Sequence, residues 1–191
     1  MVYGPLWAFI CKSLSFLSFG NATIALYIFK MAGIIIHVLN TVLIYKITKK
    51  NKFALLYGLN PFILFEMITN AHNDIYLIFF ILLSLYFLLK KKNIILTVVF
   101  MAVATCIKYV SVLLIPFLVL YYLRNKKIGK KIFYSFLYAI LFIIVMLLIY
   151  LIYAKDITMF FIMTMQQDKY RESILEMLFL DRKCCYQRES K

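Results

Sequence analysis

Long apolar runs separated by short polar loops organise most of the chain, which predicts an all-α, multi-pass transmembrane helical protein of about six spans. The spans read as Ala22–Tyr45, Phe53–Thr69, Ile75–Leu89, Ile94–Ile107, Val110–Leu123 and Ile132–Tyr153. Several are shorter than the ~20 residues that cross a typical hydrocarbon core, so they must borrow flanking residues or lean on neighbours. The loops between them are basic. Twelve of the 22 Lys and Arg fall within Lys46–Lys52, Lys90–Lys92 and Arg124–Lys131, and none of the eight acidic residues does. This is the positive-inside pattern, and it places the three loops on the inner face.

The reversal at Lys108 follows from length. A single helix over residues 94–123 would be about 45 Å long at ~1.5 Å per residue, too long for a core ~30 Å thick. Two crossings joined at Lys108 keep all three basic loops on one side and put Lys108 on the outer face. Residues 1–21 then form an outer interfacial segment with a helix beginning at Pro5, and residues 22–153 form the transmembrane domain. Residues 154–191 form an outer amphipathic stretch, from Asp168 to Leu180, and a polar tail. The expectation is a multi-pass protein of the plasma membrane with both termini outside.

Composition supports this reading. The 191 residues are 65% hydrophobic and 16% charged, with a mean hydropathy of +0.90. A soluble domain this apolar would expose far too much of that surface to water, so the lipid bilayer is the expected surrounding. The net charge of +14 would suit nucleic acid, but it is concentrated in loops and forms no basic face of a soluble fold, so no nucleic-acid partner is expected. Cys11, Cys106, Cys184 and Cys185 show no metal spacing; Cys106 reads as a small core residue and Cys184-Cys185 as idle rather than acylated. No cofactor and no metal are expected. The start of the chain has no basic region and no small-residue cleavage site, so no removable signal peptide is expected.

One polar cluster interrupts the apolar pattern on the outer side: Asn70-Ala71-His72-Asn73-Asp74. Ionisable and amide groups at membrane depth are costly, and that cost points to function. Two readings fit. In the first, Asn73 or Asp74 caps the helix starting near Ile75 and His72 fills the loop. In the second, Asp74 takes a proton while His72 and nearby amides hold an anionic or hydroxyl-rich ligand, helped by the free N–H groups of the helix start.

Glu66 precedes Asn70 by four residues and Asp74 by eight, which brings the three roughly onto one helical face. A carboxylate within a span costs about 2.5–3.5 kcal/mol, so Glu66 needs a partner. His37 or Lys30 is available, since Lys30, His37 and Asn40 or Thr41 share a polar stripe; a purely structural bond between spans is the alternative. Lys108 reads either as a snorkelling lysine or as a fixed cation for the phosphate of a lipid head group. Tyr109 and Trp7 read as interface aromatics, and Gly4-Pro5 as a turn. Asn21-Ala22-Thr23 matches a glycosylation triplet but hugs the membrane and carries little weight.

Three pieces, in order, carry a family resemblance. They are Tyr3-Gly4-Pro5-Leu6-Trp7, then Asn60-Pro61 through Glu66 to His72-Asn73-Asp74, then Ile107-Lys108-Tyr109 before an apolar run ending in Tyr121-Tyr122-Leu123. Over about residues 3–123 the pattern resembles the bacterial integral-membrane glycosyltransferases of the GT-C class, particularly the polyprenol-phosphate-mannose-dependent mannosyltransferases. The resemblance implies a GT-C-like partial fold, an active site at the outer membrane surface and a polyprenyl-phosphate sugar donor, with mannose as the implied hexose. In such enzymes a carboxylate takes the proton of the acceptor hydroxyl, the hydroxyl attacks the sugar carbon with inversion, and polyprenyl phosphate leaves, stabilised by cations.

On this resemblance Asp74 and His72 line the sugar site, Lys108 meets the donor phosphate, and Glu66, Asn70, Asn73 and His37 support the cluster. The catalytic Asp of the class usually lies in a first outer loop after a first span, and the chain starts downstream of where both should be. A truncated or split member is therefore expected, with a complementary subunit or segment as the implied partner. Two other classes stay open. One is a small proton- or ion-coupled transporter or lipid flippase with Glu66, His37 and Lys30 as a midplane relay, against which the absence of an inverted repeat counts. The other is a non-catalytic membrane subunit or decayed fragment.

Overall fold

The computed structural model describes residues 4–69 and 72–153, and the regular elements among them are all helical. Asn70, the stretch from Asp168 to Leu180 and the Cys184-Cys185 pair lie outside the described residues. Helix α1 (Pro5–Phe16) starts on proline, whose missing N–H is no loss in a first turn. Helix α2 (Ala22–Thr48) is capped by Asn21, whose Oδ1 accepts from the backbone N–H groups of Thr23 at 2.9 Å and Ile24 at 3.2 Å. The glycosylation-like triplet is thus a helix cap.

Helix α3 (Asn51–Gly58) ends before Asn60-Pro61, and a π-helical turn, Ile63–Thr69, follows. Asn60 starts that turn by accepting from Phe62 N–H at 3.0 Å and Ile63 N–H at 3.4 Å. The expected single span Phe53–Thr69 is therefore two pieces, since proline cannot continue the hydrogen-bond ladder of α3. Helix α4 (Asp74–Tyr86) runs on as a π-helical turn, Phe87–Lys91. Helix α5 (Ile94–Ile107) begins at Asn93, whose side chain accepts from Leu96 N–H at 3.1 Å. It ends at Lys108, whose backbone is extended (φ −152°, ψ 121°). A 3-10 turn, Tyr109–Leu114, then leads into α6 (Ile115–Leu123), and α7 (Ile128–Tyr153) follows.

Two apolar clusters fix the direction of these helices. The first joins Ile75, Tyr76 and Leu77 at the start of α4 to Met101, Ala104 and Ile107 late in α5, with Leu6 and Trp7 of α1 against it. The second joins Leu88, beyond the end of α4, to Ile94 and Val98 early in α5 and to Val119 and Leu123 late in α6. Helices α4, α5 and α6 thus run alternately, and the chain reverses at Lys108. Lys90–Lys92 and Arg124 share one end of the bundle, with Asp74 and Lys108 at the other.

Helices α2 and α7 are long and apolar enough to cross a membrane; the other helices, including those at the expected spans from Phe53 to Leu123, are shorter. The most apolar stretch of α7 is 0% buried inside the protein, with Phe136, Ile143, Leu147 and Leu151 among its outward side chains. A helix can display such a surface to lipid because its backbone groups are satisfied internally. The chain is a membrane protein.

Candidate functional site

The site is built where two chain breaks meet, the turn before α4 and the reversal after α5. Lys108 is held at that reversal by its neighbours. Its carbonyl accepts from the Ser111 backbone N–H at 3.3 Å and from Ser111 Oγ at 3.2 Å, and Ser111 Oγ lies 3.0 Å from Thr105 Oγ1. On the other side Gly4 N–H donates to the Ile107 carbonyl at 2.9 Å. That approach needs glycine, because a Cβ there would collide with the Cys106 carbonyl oxygen. Gly4, in the N-terminal part of the resemblance, therefore docks the start of α1 directly onto the Lys108 turn.

From this turn Lys108 Nζ donates to Asp74 Oδ1 at 2.6 Å. The lysine side chain is 8% exposed and the aspartate 25%, so the pair is set into the protein and opens outward through the carboxylate. Snorkelling is not what Lys108 does; its charge is spent at a fixed point. Its ammonium has three donors, and the bond to Asp74 uses one. Asp74 Oδ2 faces His72 Nδ1 at 3.3 Å, and the same nitrogen faces the Asp74 backbone N–H at 3.4 Å. An Nδ1 without a hydrogen can accept from the backbone N–H, and one that carries a hydrogen can donate to the carboxylate.

Asn73 precedes α4 but makes no side-chain cap: its backbone is already helical, and both its Oδ1 and Nδ2 are buried with no hydrogen-bond partner among the described residues. Capping alone therefore does not account for this amide. Tyr76, one turn on, also buries an unpartnered hydroxyl, with the Trp7 ring 5.5 Å away by centroid. Unpaired buried donors and acceptors cost about 1–3 kcal/mol each. Such groups call for an explanation, of which a bound water, ion or polar ligand is one.

The polar stripe of α2 lies beside this turn. Asn40 Nδ2 donates to the Ile75 carbonyl and to Tyr57 Oη, each at 3.1 Å, pinning the first turn of α4 to α2 and α3. Sequence patterning placed Asn40 only as a polar position, yet it is fully buried and acts as the link between three helices. His37 Nε2 donates to the Gly58 carbonyl at 3.0 Å, and its ring stacks on Tyr57. That bond ties His37 to α3. Glu66 itself sits in the π-helical turn, and Asp74 opens a new helix after the Asn73 turn. Glu66 and Asp74, expected on a single helical face, thus lie on two separate elements.

Among the described residues no group of three or more His, Cys, Asp and Glu is placed to hold a metal ion. Burial raises the Cys11 thiol on α1 above its usual value, which keeps it a thiol near neutral pH. At the far side of the Lys108 turn, Cys106 Sγ meets Met146 Sδ at 3.2 Å and Tyr109 shares its hydroxyl with Tyr150, so α7 is joined to the same corner.

A family model described as "Alpha-(1->6)-mannopyranosyltransferase, N-terminal domain" matches residues 1–124. No curated protein and no solved structure matches the chain.

Proposed function

The chain belongs to the alpha-(1->6)-mannopyranosyltransferase family, and from that premise we propose that it moves a mannosyl residue from a polyprenyl-phosphate donor to an acceptor hydroxyl at the outer face of the membrane. In this reading the fold is GT-C-like, with about six crossings of the plasma membrane and the basic loops inside. The observation that carries it is the Asp74–Lys108 pair at 2.6 Å, with His72 on its open side and unpartnered Asn73 beside it. One corner thus offers a carboxylate, a cation and an amide free to bind hydroxyls.

Asp74 Oδ2, the oxygen not engaged by Lys108, accepts the proton of the acceptor hydroxyl. The hydroxyl oxygen bonds to the anomeric carbon from the face opposite the phosphate. The bond from that carbon to the phosphate oxygen breaks, and the electron pair leaves with polyprenyl phosphate, inverting the centre. Lys108, through the donors not used on Asp74, meets the phosphate charge as it develops. His72 shares the proton-accepting side of the carboxylate, and Asn73 binds a sugar hydroxyl. Asn40, His37 and Glu66 support the corner without touching substrate.

Binding of polyprenyl-phosphate mannose to the purified chain, read by native mass spectrometry, tests this. Saturable binding weakened about tenfold or more in Lys108→Ala, the loss expected for a charge-assisted contact, supports the donor site. A folded chain that binds no more donor than polyprenol itself overturns it.

A further inference from the structure

At the end of the bundle opposite Asp74, a cleft of about 660 Å³ opens between the start of α5, the end of α6 and the flank of α7. Its volume is in the range of ligand sites rather than packing defects. Lys91 and Lys92 stand at its polar end, both exposed, in the turn between α4 and α5. Tyr122 and Tyr138 come next, with their rings 6.4 Å apart by centroid. Leu137 and Ile144 line the α7 wall. Since α7 leaves the basic loop at Ile128, the step from Leu137 to Ile144 moves about 10 Å away from it, at ~1.5 Å per residue.

The lining therefore joins two ammonium groups at the basic loop to two phenol rings and an aliphatic wall that continues along α7. Its charge sits at the basic-loop end and its apolar wall runs toward the middle of α7, as the head group and acyl chain of a lipid in the same leaflet do. We propose that this cleft is a binding site for an anionic phospholipid: its phosphate lies between Lys91 and Lys92, its ester region beside Tyr122 and Tyr138, and one acyl chain along α7. Charge complementarity selects the occupant, because Lys in such a position attracts anionic head groups and gains little from zwitterionic ones. The apolar wall excludes free phosphate as the fitting ligand. The site lies outside the proposed donor site and does not depend on the transfer reaction.

Native mass spectrometry of the purified chain, equilibrated with equal amounts of phosphatidylglycerol and phosphatidylcholine, tests the proposal. Wild type is expected to retain phosphatidylglycerol about tenfold over phosphatidylcholine, as two head-group lysines allow. K91Q/K92Q should lose most of that preference. Leu137→Trp, at an exposed position that fills the cleft without changing charge, should lower phosphatidylglycerol retention about fivefold or more. K126Q/K127Q removes the same charge in the neighbouring loop and should leave retention unchanged. Equal retention of both lipids, equal loss in K126Q/K127Q, or no loss in Leu137→Trp would each overturn the site.

Discussion

At the end of the bundle beside Lys90–Lys92, Ser84 Oγ donates to the Thr97 carbonyl at 2.9 Å and Thr97 Oγ1 to the Asn93 carbonyl at 2.8 Å. Both side chains are buried, and both are satisfied within the protein. At the opposite end Asn73 and Tyr76 are also buried, but Asn73 Oδ1, Asn73 Nδ2 and Tyr76 Oη have no partner among the described residues, and a lysine and an aspartate face each other. The lysines of the first end are exposed, whereas Lys108 is buried. Hydroxyl pairs between α4 and α5 are what a polar residue does when its role is to join helices. An amide and a hydroxyl left without a partner among the described residues are costly for stability alone, and this contrast is what the proposed site rests on.

Breaking the ion pair should have the largest effect. Lys108→Met strands the carboxylate and should cost about 2–3 kcal/mol, below the full price of a buried pair because Asp74 is partly open. Asp74→Asn combined with Lys108→Met should recover much of that loss, which a double-mutant cycle of thermal unfolding in detergent would measure. Additive losses would mean the two groups do not act as a pair.

Next comes Gly4→Ala, which forces α1 off the Lys108 turn. A cost of about 1–3 kcal/mol is expected from the backbone clash. Half-buried Cys11 should then react faster with maleimide, and an unchanged labelling rate would refute the docking role of α1.

Asn73→Ala sharpens the contrast from the other side. Removing an amide that has no partner among the described residues should leave stability unchanged or raise it, while donor binding falls by a clear factor. A large stability loss with unchanged binding would make Asn73 structural. Ser84→Ala should show the reverse, a cost of about 1 kcal/mol with donor binding intact.

Much of this could be read from hydrophobic pattern alone. The basic loops, the helix Ile94–Ile107 and the reversal at Lys108 follow from run length and charge, and these are the terms that fix helix position in a membrane. The meeting of Lys108 with Asp74 was not readable from spacing. They are 34 residues apart, and only the packing of α4 against α5 brings them together. The π-helical turns escaped for a local reason: an apolar run looks the same whether its bonds close at four residues or five. Gly4 read as a simple turn because the backbone it approaches lies a hundred residues away in another helix. Asn40 read as one of a stripe, since nothing in α2 itself shows that the Ile75 carbonyl waits opposite it.

The order of the Asp74–Lys108 pair in the chain has a consequence for biogenesis. Synthesis delivers the carboxylate first, and its counter-ion follows only when α5 is complete and the chain has turned. Until then an acidic group stands at the tip of α4 among apolar helices, so a nascent chain ended at Ile107 carries an unmatched charge and one ended at Leu123 does not. The salt bridge thus doubles as a marker of how far membrane insertion has progressed, and turnover of those two truncated chains in cells should differ accordingly, with the shorter one cleared faster.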